Sequence, residues 1–164
     1  MYAPPTDPTR HALAFDFEQL GRGFVQTIPH VRACGMSVEV LRAAYAQVRL
    51  PYREDWLCDA DGSVMNTGII TTLIDSAAGL AVFSALQEVQ RIATLDLRTD
   101  YLRGAQAGSD LICGATCHRM TPQIAFVRAS VWQADPEQPV ALCQAAFMRS
   151  ERSRAPVSNV EARA

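Results

Sequence analysis

One carboxylate, Asp75, lies in the middle of an otherwise uncharged segment, GIITTLIDSAAGLAVFSAL, residues 68–86. Small and hydroxyl side chains flank it on one helical face. At the i, i+3, i+4, i+7, i+11 spacing this face holds Gly68, Thr71, Thr72, Asp75 and Gly79. An ionised carboxylate in apolar surroundings is unfavourable unless it is paired, hydrogen-bonded or open to a cleft. The pattern is therefore typical either of a reactive carboxylate in a narrow slot or of a structural acid satisfied in the core.

The residues directly before this segment suit the start of a helix. Asn66 is a favoured N-cap residue, so Thr67 and Gly68 are expected to carry free amides of the first turn. Such amides, at the positive end of the helix dipole, can hold developing negative charge, as in the oxyanion hole of acyl transfer. Gly68 also allows a substrate to approach the backbone closely. A capped helix without catalytic function is the commoner use of these residues.

The elements that position these residues follow from hydrophobic periodicity. Segment 68–86 fits a membrane span or a buried helix, and its Asp, Gly, Ser and Thr content favours the buried helix. We predict a short helix over residues 14–26, ending before Pro29. Strand patterns cover residues 37–41, 44–50, 93–103, 111–120, 124–134 and 140–149. With one long helix filling the core, an antiparallel sheet must wrap around it.

Within the first two strands, alternation assigns the faces. Val38 and Val40 are expected to share one face of the first strand. In the second strand, the apolar side chains at positions 46, 48 and 50 are expected to face the core, opposite Gln47 and Arg49.

Length, composition and charge narrow the class of protein. The 164 residues, 49% hydrophobic and 20% charged, fit one domain over residues 13–150, with flexible tails at 1–12 and 151–164. The net charge of −2 is spread along the chain, so we expect no nucleic-acid partner and no membrane association. Five cysteines without a CxxC pair, and an N-terminus without a signal-peptide pattern, favour the cytoplasm.

The spacing Cys113-x3-Cys117-His118 is superficially like a metal-binding cluster. In a strand, however, the two cysteines share one face and His118 points to the other. We therefore expect no metal site.

Three segments resemble the 4-hydroxybenzoyl-CoA thioesterase superfamily, in particular its phenylacetate-pathway (PaaI-like) branch. The first resembles the start of the family's central helix, where His-Gly-Gly precedes an Asp within the helix: NTGIITTLIDSAAGLA. The other two resemble the following strand, IATLDLRTDYLRGA, and the last hairpin, IAFVRASVWQADPEQPVALCQAAFMR. The resemblance covers residues 34–149 and implies an α+β hotdog fold, a curved antiparallel sheet wrapped around one long central helix. It also implies a homodimer with a continuous sheet, assembling into a homotetramer.

In function, the resemblance implies hydrolysis of an acyl-CoA, with CoA as part of the substrate and no cofactor. By position, Asp75 matches the catalytic carboxylate, acting as general base or as nucleophile. Thr67 matches the residue whose amide polarises the thioester carbonyl, with Gly68 as second donor, and Thr94 matches a position that steadies the water or the carboxylate. Asn66 replaces the usual His, and Thr67 replaces the first Gly. The resemblance places the site at a dimer interface, with the helix start from one chain and the carboxylate from the other.

The phosphates of CoA require cations near the mouth of the site. The candidates are Arg103, Arg119 and Arg128, and each is equally well explained as a solvated surface arginine.

Two other functions stay open. One is a non-catalytic acyl-CoA-binding sensor, although the N-terminal segment carries no DNA-binding pattern. The other is an enoyl-thioester hydratase, which typically pairs a carboxylate with a His. The histidines at positions 11, 30 and 118 all lie outside the helix segment, which makes this reaction the less favoured one.

Overall fold

The described part of the chain folds into a sheet, one long α-helix, two shorter N-terminal α-helices and a 3-10 turn at Glu54–Trp56. A computed structural model describes residues 15–58, 62–87 and 90–149. The helices are α1 (Phe17–Thr27), α2 (Pro29–Ala33) and α3 (Thr67–Leu86). The strands are β1 (Ser37–Arg42), β2 (Tyr45–Leu50), β3 (Ile92–Tyr101), β4 (Leu111–Met120), β5 (Ile124–Trp132) and β6 (Ala141–Arg149). The predicted tails, residues 1–12 and 151–164, lie outside the described residues, so the domain bounds stay a prediction.

Six antiparallel strands form one curved sheet in the order β1-β2-β4-β5-β6-β3. Helix α3 packs mainly against β2, β4 and β5, in the middle of the sheet. The three apolar residues of β2 predicted to face the core are fully buried: Ala46, Val48 and Leu50. The predicted hotdog architecture is therefore confirmed.

Helix α3 has two faces of different character. One is buried against the sheet through residues that include Ile70, Leu73 and Ile74. On the other face Asp75 is exposed, so the predicted buried helix is not covered on every side within one chain. The sheet of one chain covers only one side of the helix. By length and composition α3 could span a membrane, but 56% of its most apolar stretch is buried within the chain, as for a core helix.

Two local features of the N-terminal part differ from the predictions. A β-bulge separates Val38 from Val40, so Val40 is 40% exposed while Val38 packs against Gly21 of α1. The predicted shared face is wrong because a bulge interrupts the alternation of side chains. Helix α1 ends before Pro29 as predicted, but Pro29 itself opens the unpredicted helix α2, where proline suits the first turn.

Candidate active site

Asp75 is held by a hydrogen bond from the neighbouring edge strand. The Thr94 hydroxyl donates to Asp75 Oδ1 at 2.8 Å. A β-bulge in β3 follows Thr94, so that Thr94 and Leu97, three residues apart, both lie on the helix side of the sheet. The structure thus brings together two residues predicted to act together. Because Asp75 is exposed within the chain, it is not an acid buried in the core of this chain.

A cavity of about 420 Å³ opens beside this carboxylate, between α3, β3 and the two N-terminal helices. Its polar side is formed by five side chains: His30, Thr72, Asp75, Ser76 and Thr94. Its remaining wall is apolar and includes Phe24, Ile28, Phe83, Ile92 and Phe147. The hydroxyls of Thr72 and Ser76 donate to helix carbonyls at 3.0 and 2.8 Å, which leaves Asp75 as the ionisable acid of the cavity among the described residues.

The start of α3 is fixed by backbone hydrogen bonds to two loops. Met65 N–H donates to the Ala105 carbonyl at 2.9 Å, and Asn66 N–H donates to the Trp56 carbonyl at 2.7 Å. The Asn66 side chain accepts from Gly68 N–H at 2.7 Å, which confirms the predicted N-cap.

The same cap changes which amides are available. Gly68 N–H is occupied by Asn66 Oδ1, so the expectation that it is free is wrong. A Cβ at position 68 would lie 3.0 Å from that oxygen, so glycine allows the cap to form. The amide of Thr67 has no hydrogen-bond partner among the described residues, and it lies at the positive end of a 20-residue helix.

Tyr101, for which no role was predicted, also contacts the helix start. Its hydroxyl lies 2.8 Å from Thr71 Oγ1 and donates to the Thr67 carbonyl at 3.3 Å. Because β3 runs antiparallel to α3, the strand's first half meets Asp75 and its last residue meets the helix start. Thr67 and Asp75 are eight residues apart, which corresponds to about 12 Å along the helix axis.

The structure does not bring the three candidate arginines together. Arg103 follows β3 near the start of α3, and its guanidinium donates to the carbonyls of Gln138 and Pro139. Arg119 lies at the other end of the sheet, next to the β4–β5 turn. Arg128 is exposed between buried neighbours of β5, so it lies on the sheet face away from α3. Of the three, Arg103 is therefore the one placed near the helix start.

A histidine from outside the α3 segment also lines the cavity. His30 belongs to α2, and its Nε2 lies 3.9 Å from Cys34 Sγ. Its position depends on the short helix α2, which no periodic pattern indicated. In β4, Cys113 and Cys117 are buried whereas His118 is exposed, as expected from strand alternation. Within the described ranges no three potential metal ligands converge.

Comparison with known proteins agrees with this architecture. Residues 62–140 match the family model described as the thioesterase superfamily. A putative esterase of Halobacterium salinarum is 38% identical over 100 residues, which are 59% of this chain and 65% of that protein. The chain thus spans slightly less than two thirds of that relative. A medium/long-chain acyl-CoA thioesterase, YigI of Salmonella typhimurium, is 29% identical over 71% of this chain and 83% of its own length.

Solved structures extend the similarity over most of the fold. A crystal structure of a Pseudomonas aeruginosa protein is 35% identical, with a TM-score of 0.72 over 82% of this chain and 98% of its own. The PaaI protein of Escherichia coli, from the phenylacetic acid degradation operon, shares the fold at 18% identity, with a TM-score of 0.73 over 82% and 93% of the two chains. The sequence match, the sheet wrapped around α3 and these neighbours agree, and this chain belongs to the hotdog-fold thioesterase superfamily.

Proposed function

We propose that this protein hydrolyses acyl-CoA thioesters, with Asp75 as the catalytic carboxylate. The observation that carries the proposal is the Thr94–Asp75 hydrogen bond of 2.8 Å at the polar side of a largely apolar cavity. An apolar pocket with a few oriented polar groups is the usual form of a small-molecule site. The acyl-CoA thioesterase activity in the name of the YigI relative supports the same substrate class.

In the proposed reaction the acyl group lies in the cavity with its thioester carbonyl beside Asp75. The carbonyl oxygen accepts a hydrogen bond from a Thr67 amide, and one such donor typically contributes about 3–4 kcal/mol to catalysis. The Gly68 amide can donate a second hydrogen bond to this oxygen only if the Asn66 side chain releases it, because the cap occupies that amide in the structure.

Two routes for the carboxylate satisfy this geometry. As a general base, Asp75 takes a proton from water, the hydroxide attacks the carbonyl carbon, and CoA leaves as the thiolate. As a nucleophile, it forms a mixed anhydride with release of CoA, and water then hydrolyses the anhydride. In both routes the Thr94 hydroxyl fixes the orientation of the carboxylate.

We propose that the complete site is shared between two copies of the chain. Within one chain, Thr67 and Asp75 are about 12 Å apart along the helix, too far to act on one carbonyl group. Strand β3 lies at the edge of the sheet, where its backbone groups are available for pairing, and Leu95 is 55% exposed on it. Pairing of β3 with its copy would bring the helix start of one chain to the carboxylate of the other. Further assembly into a tetramer is proposed from the family resemblance.

The cytoplasm is the proposed location, because all five cysteines are free and thiols stay reduced there. Arg103 is the preferred candidate for a CoA phosphate, since it lies near the start of α3 and its guanidinium has further N–H donors to offer.

The direct test is thiol release from short, medium and aromatic acyl-CoAs by the wild type and by Asp75→Asn. The amide keeps the shape of the side chain and removes its charge. We expect the variant to lose at least about a thousandfold in kcat, equivalent to about 4 kcal/mol, with the fold and assembly unchanged. A wild type that binds acyl-CoA but releases no thiol from any of them would instead support the non-catalytic sensor.

A second candidate reaction gains support from His30, which lines the same cavity as Asp75. A carboxylate and an imidazole facing one substrate are the groups that an enoyl-thioester hydratase needs. Loss of the conjugated enoyl-CoA absorbance without thiol release, abolished by His30→Gln, would favour hydration. Unchanged absorbance would leave hydrolysis as the function of the cavity.

A further inference from the structure

We propose that the α1–α2 segment and Phe83 of α3 together set the length of the acyl chain. The preferred chain is medium, about eight to ten carbons long by the helix rise between Asp75 and Phe83. This rests on the proposed function, because it places the acyl carbonyl beside Asp75. The chain runs along α3 and ends at three side chains, Phe24, Ile28 and Phe83, here called the apolar wall.

The direction of the chain follows from the polarity of α3. From Asp75 toward the helix start, the uncovered face carries Thr71 and Thr72 and then the capped first turn. Toward the helix end, the cavity beside α3 is lined by the buried Gly79 and the half-buried Phe83, and it is completed by further apolar side chains. An alkyl chain gains free energy only along the second path. The polar CoA portion is therefore left at the helix-start side.

The length follows from the distance to the apolar wall. Asp75 and Phe83 are eight residues apart, which corresponds to about 12 Å of helix. An extended alkyl chain, with C–C bonds of about 1.5 Å, advances about 1.3 Å per carbon. About nine carbons therefore reach from the carboxylate to the wall, within a cavity of about 420 Å³.

A second cavity of about 510 Å³ lies on the other side of the apolar wall. Phe24, Ile28 and Phe83 line both cavities, and α1 supplies most of the remaining lining of the second one, including Leu20 and Gly23. Removing a wall side chain should therefore connect the two volumes and extend the space available to the acyl chain. An added Cβ at Gly23 would meet no atom within 4 Å, so a larger side chain can fill the second cavity.

The experiment measures the affinity of S-alkyl-CoA thioethers, from four to sixteen carbons, by calorimetry. These compounds cannot be hydrolysed, so the readout does not depend on catalysis. For the wild type, we expect the affinity to rise about fourfold per methylene (about 0.8 kcal/mol) and to stop rising near ten carbons. For Phe83→Ala, the rise should continue beyond about ten carbons, because the truncation connects the first cavity to the second. If Phe83→Ala does not fold, Phe83→Leu should shift the end of the rise by one or two carbons.

Two further variants make the test specific. Adding Gly23→Leu to Phe83→Ala should abolish the gain for long chains, because the new side chain fills the space that the truncation opened. Phe126→Ala is the matched control, since Phe126 is half-buried between two buried residues of β5 and so lies on the sheet face away from α3. It should keep the wild-type dependence on chain length.

The outcomes separate this inference from the proposed function. Two results would overturn the role of the apolar wall. One is an affinity for Phe83→Ala that stops rising at the same chain length as for the wild type, and the other is no binding of any thioether. If the expected profile is seen but acyl-CoAs release no thiol, hydrolysis is wrong while the chain-length site stands.

Discussion

The hydrogen bond from Thr94 to Asp75 allows a quantitative test of how the carboxylate is oriented. Thr94→Val removes the hydroxyl but keeps the volume and the β-branched shape that suit a strand. A hydrogen bond to a charged group is worth about 1.5–3 kcal/mol. Both side chains are exposed within the chain, so the lower end applies and kcat should fall about tenfold. Thr94→Ser keeps the donor and should stay within about threefold of the wild type.

The assay is steady-state thiol release, with kcat and KM measured separately on one medium-chain acyl-CoA. Orientation of the carboxylate acts on the chemical step, so kcat should change while KM stays within about twofold. In the background of Asp75→Asn, Thr94→Val should cause no further loss of kcat. The hydroxyl acts only by orienting the Asp75 carboxylate, which the first change has already removed. Equal kcat values for the Val and Ser variants would refute the reasoning, as would a full additional tenfold loss in the double mutant.

Three other changes test separate parts of the structure. Leu95→Arg on the β3 edge should give a smaller particle by size-exclusion chromatography with light scattering and should abolish thiol release, whereas an active monomer would contradict the shared site. Asn66→Ala should lower Tm by about 2–4 °C, from loss of about 1 kcal/mol of capping, and Asn66→Asp should restore it. The Tyr52 amide, and next Arg49, lower the pKa of Asp110 in the folded protein. Its stabilisation is therefore present above the unfolded pKa near 3.8 and lost as pH falls through the lower folded value. The Tm difference between the wild type and Asp110→Asn should shrink in that acidic range, and a constant difference would contradict this assignment.

The sheet and the central helix were predictable because local signals agree with the tertiary structure. Strand β4 spans Leu111–Met120, the predicted residues, since its alternation ends at the turn residues Thr121 and Pro122. Helix α3 begins directly after Asn66, where the capping residue was expected. Those elements carry their own periodicity and their own end signals.

The rest of the candidate site depends on register and on competing contacts, which sequence spacing does not encode. Tyr101 reaches the start of α3 only because β3 and α3 run antiparallel at a particular offset. His30 reaches the cavity through the five-residue helix α2, which is too short to have a periodic signature. The amide of Gly68 was expected to be free, but the asparagine that caps the helix occupies it. The sequence indicated the right cap and could not indicate which amide that cap would occupy.

The unusual position of Asp75 in an apolar helix has a physical explanation in this arrangement. Within the chain the carboxylate is exposed and hydrogen-bonded to Thr94, so it avoids the large free-energy cost of burying a charge. The helix start lies eight residues, about 12 Å, from this carboxylate along α3, so in the proposed reaction one chain could not supply both groups to one carbonyl. A second copy paired at β3 would supply the missing Thr67 amide and also exclude water from around Asp75. Exclusion of water would strengthen the hydrogen bond from that amide to the substrate and the hydrogen bond from Thr94 to Asp75. In the proposed assembly the uncovered face of α3 therefore has two consequences. It leaves Asp75 exposed to solvent in one chain, and it is the surface on which a second copy would complete the site.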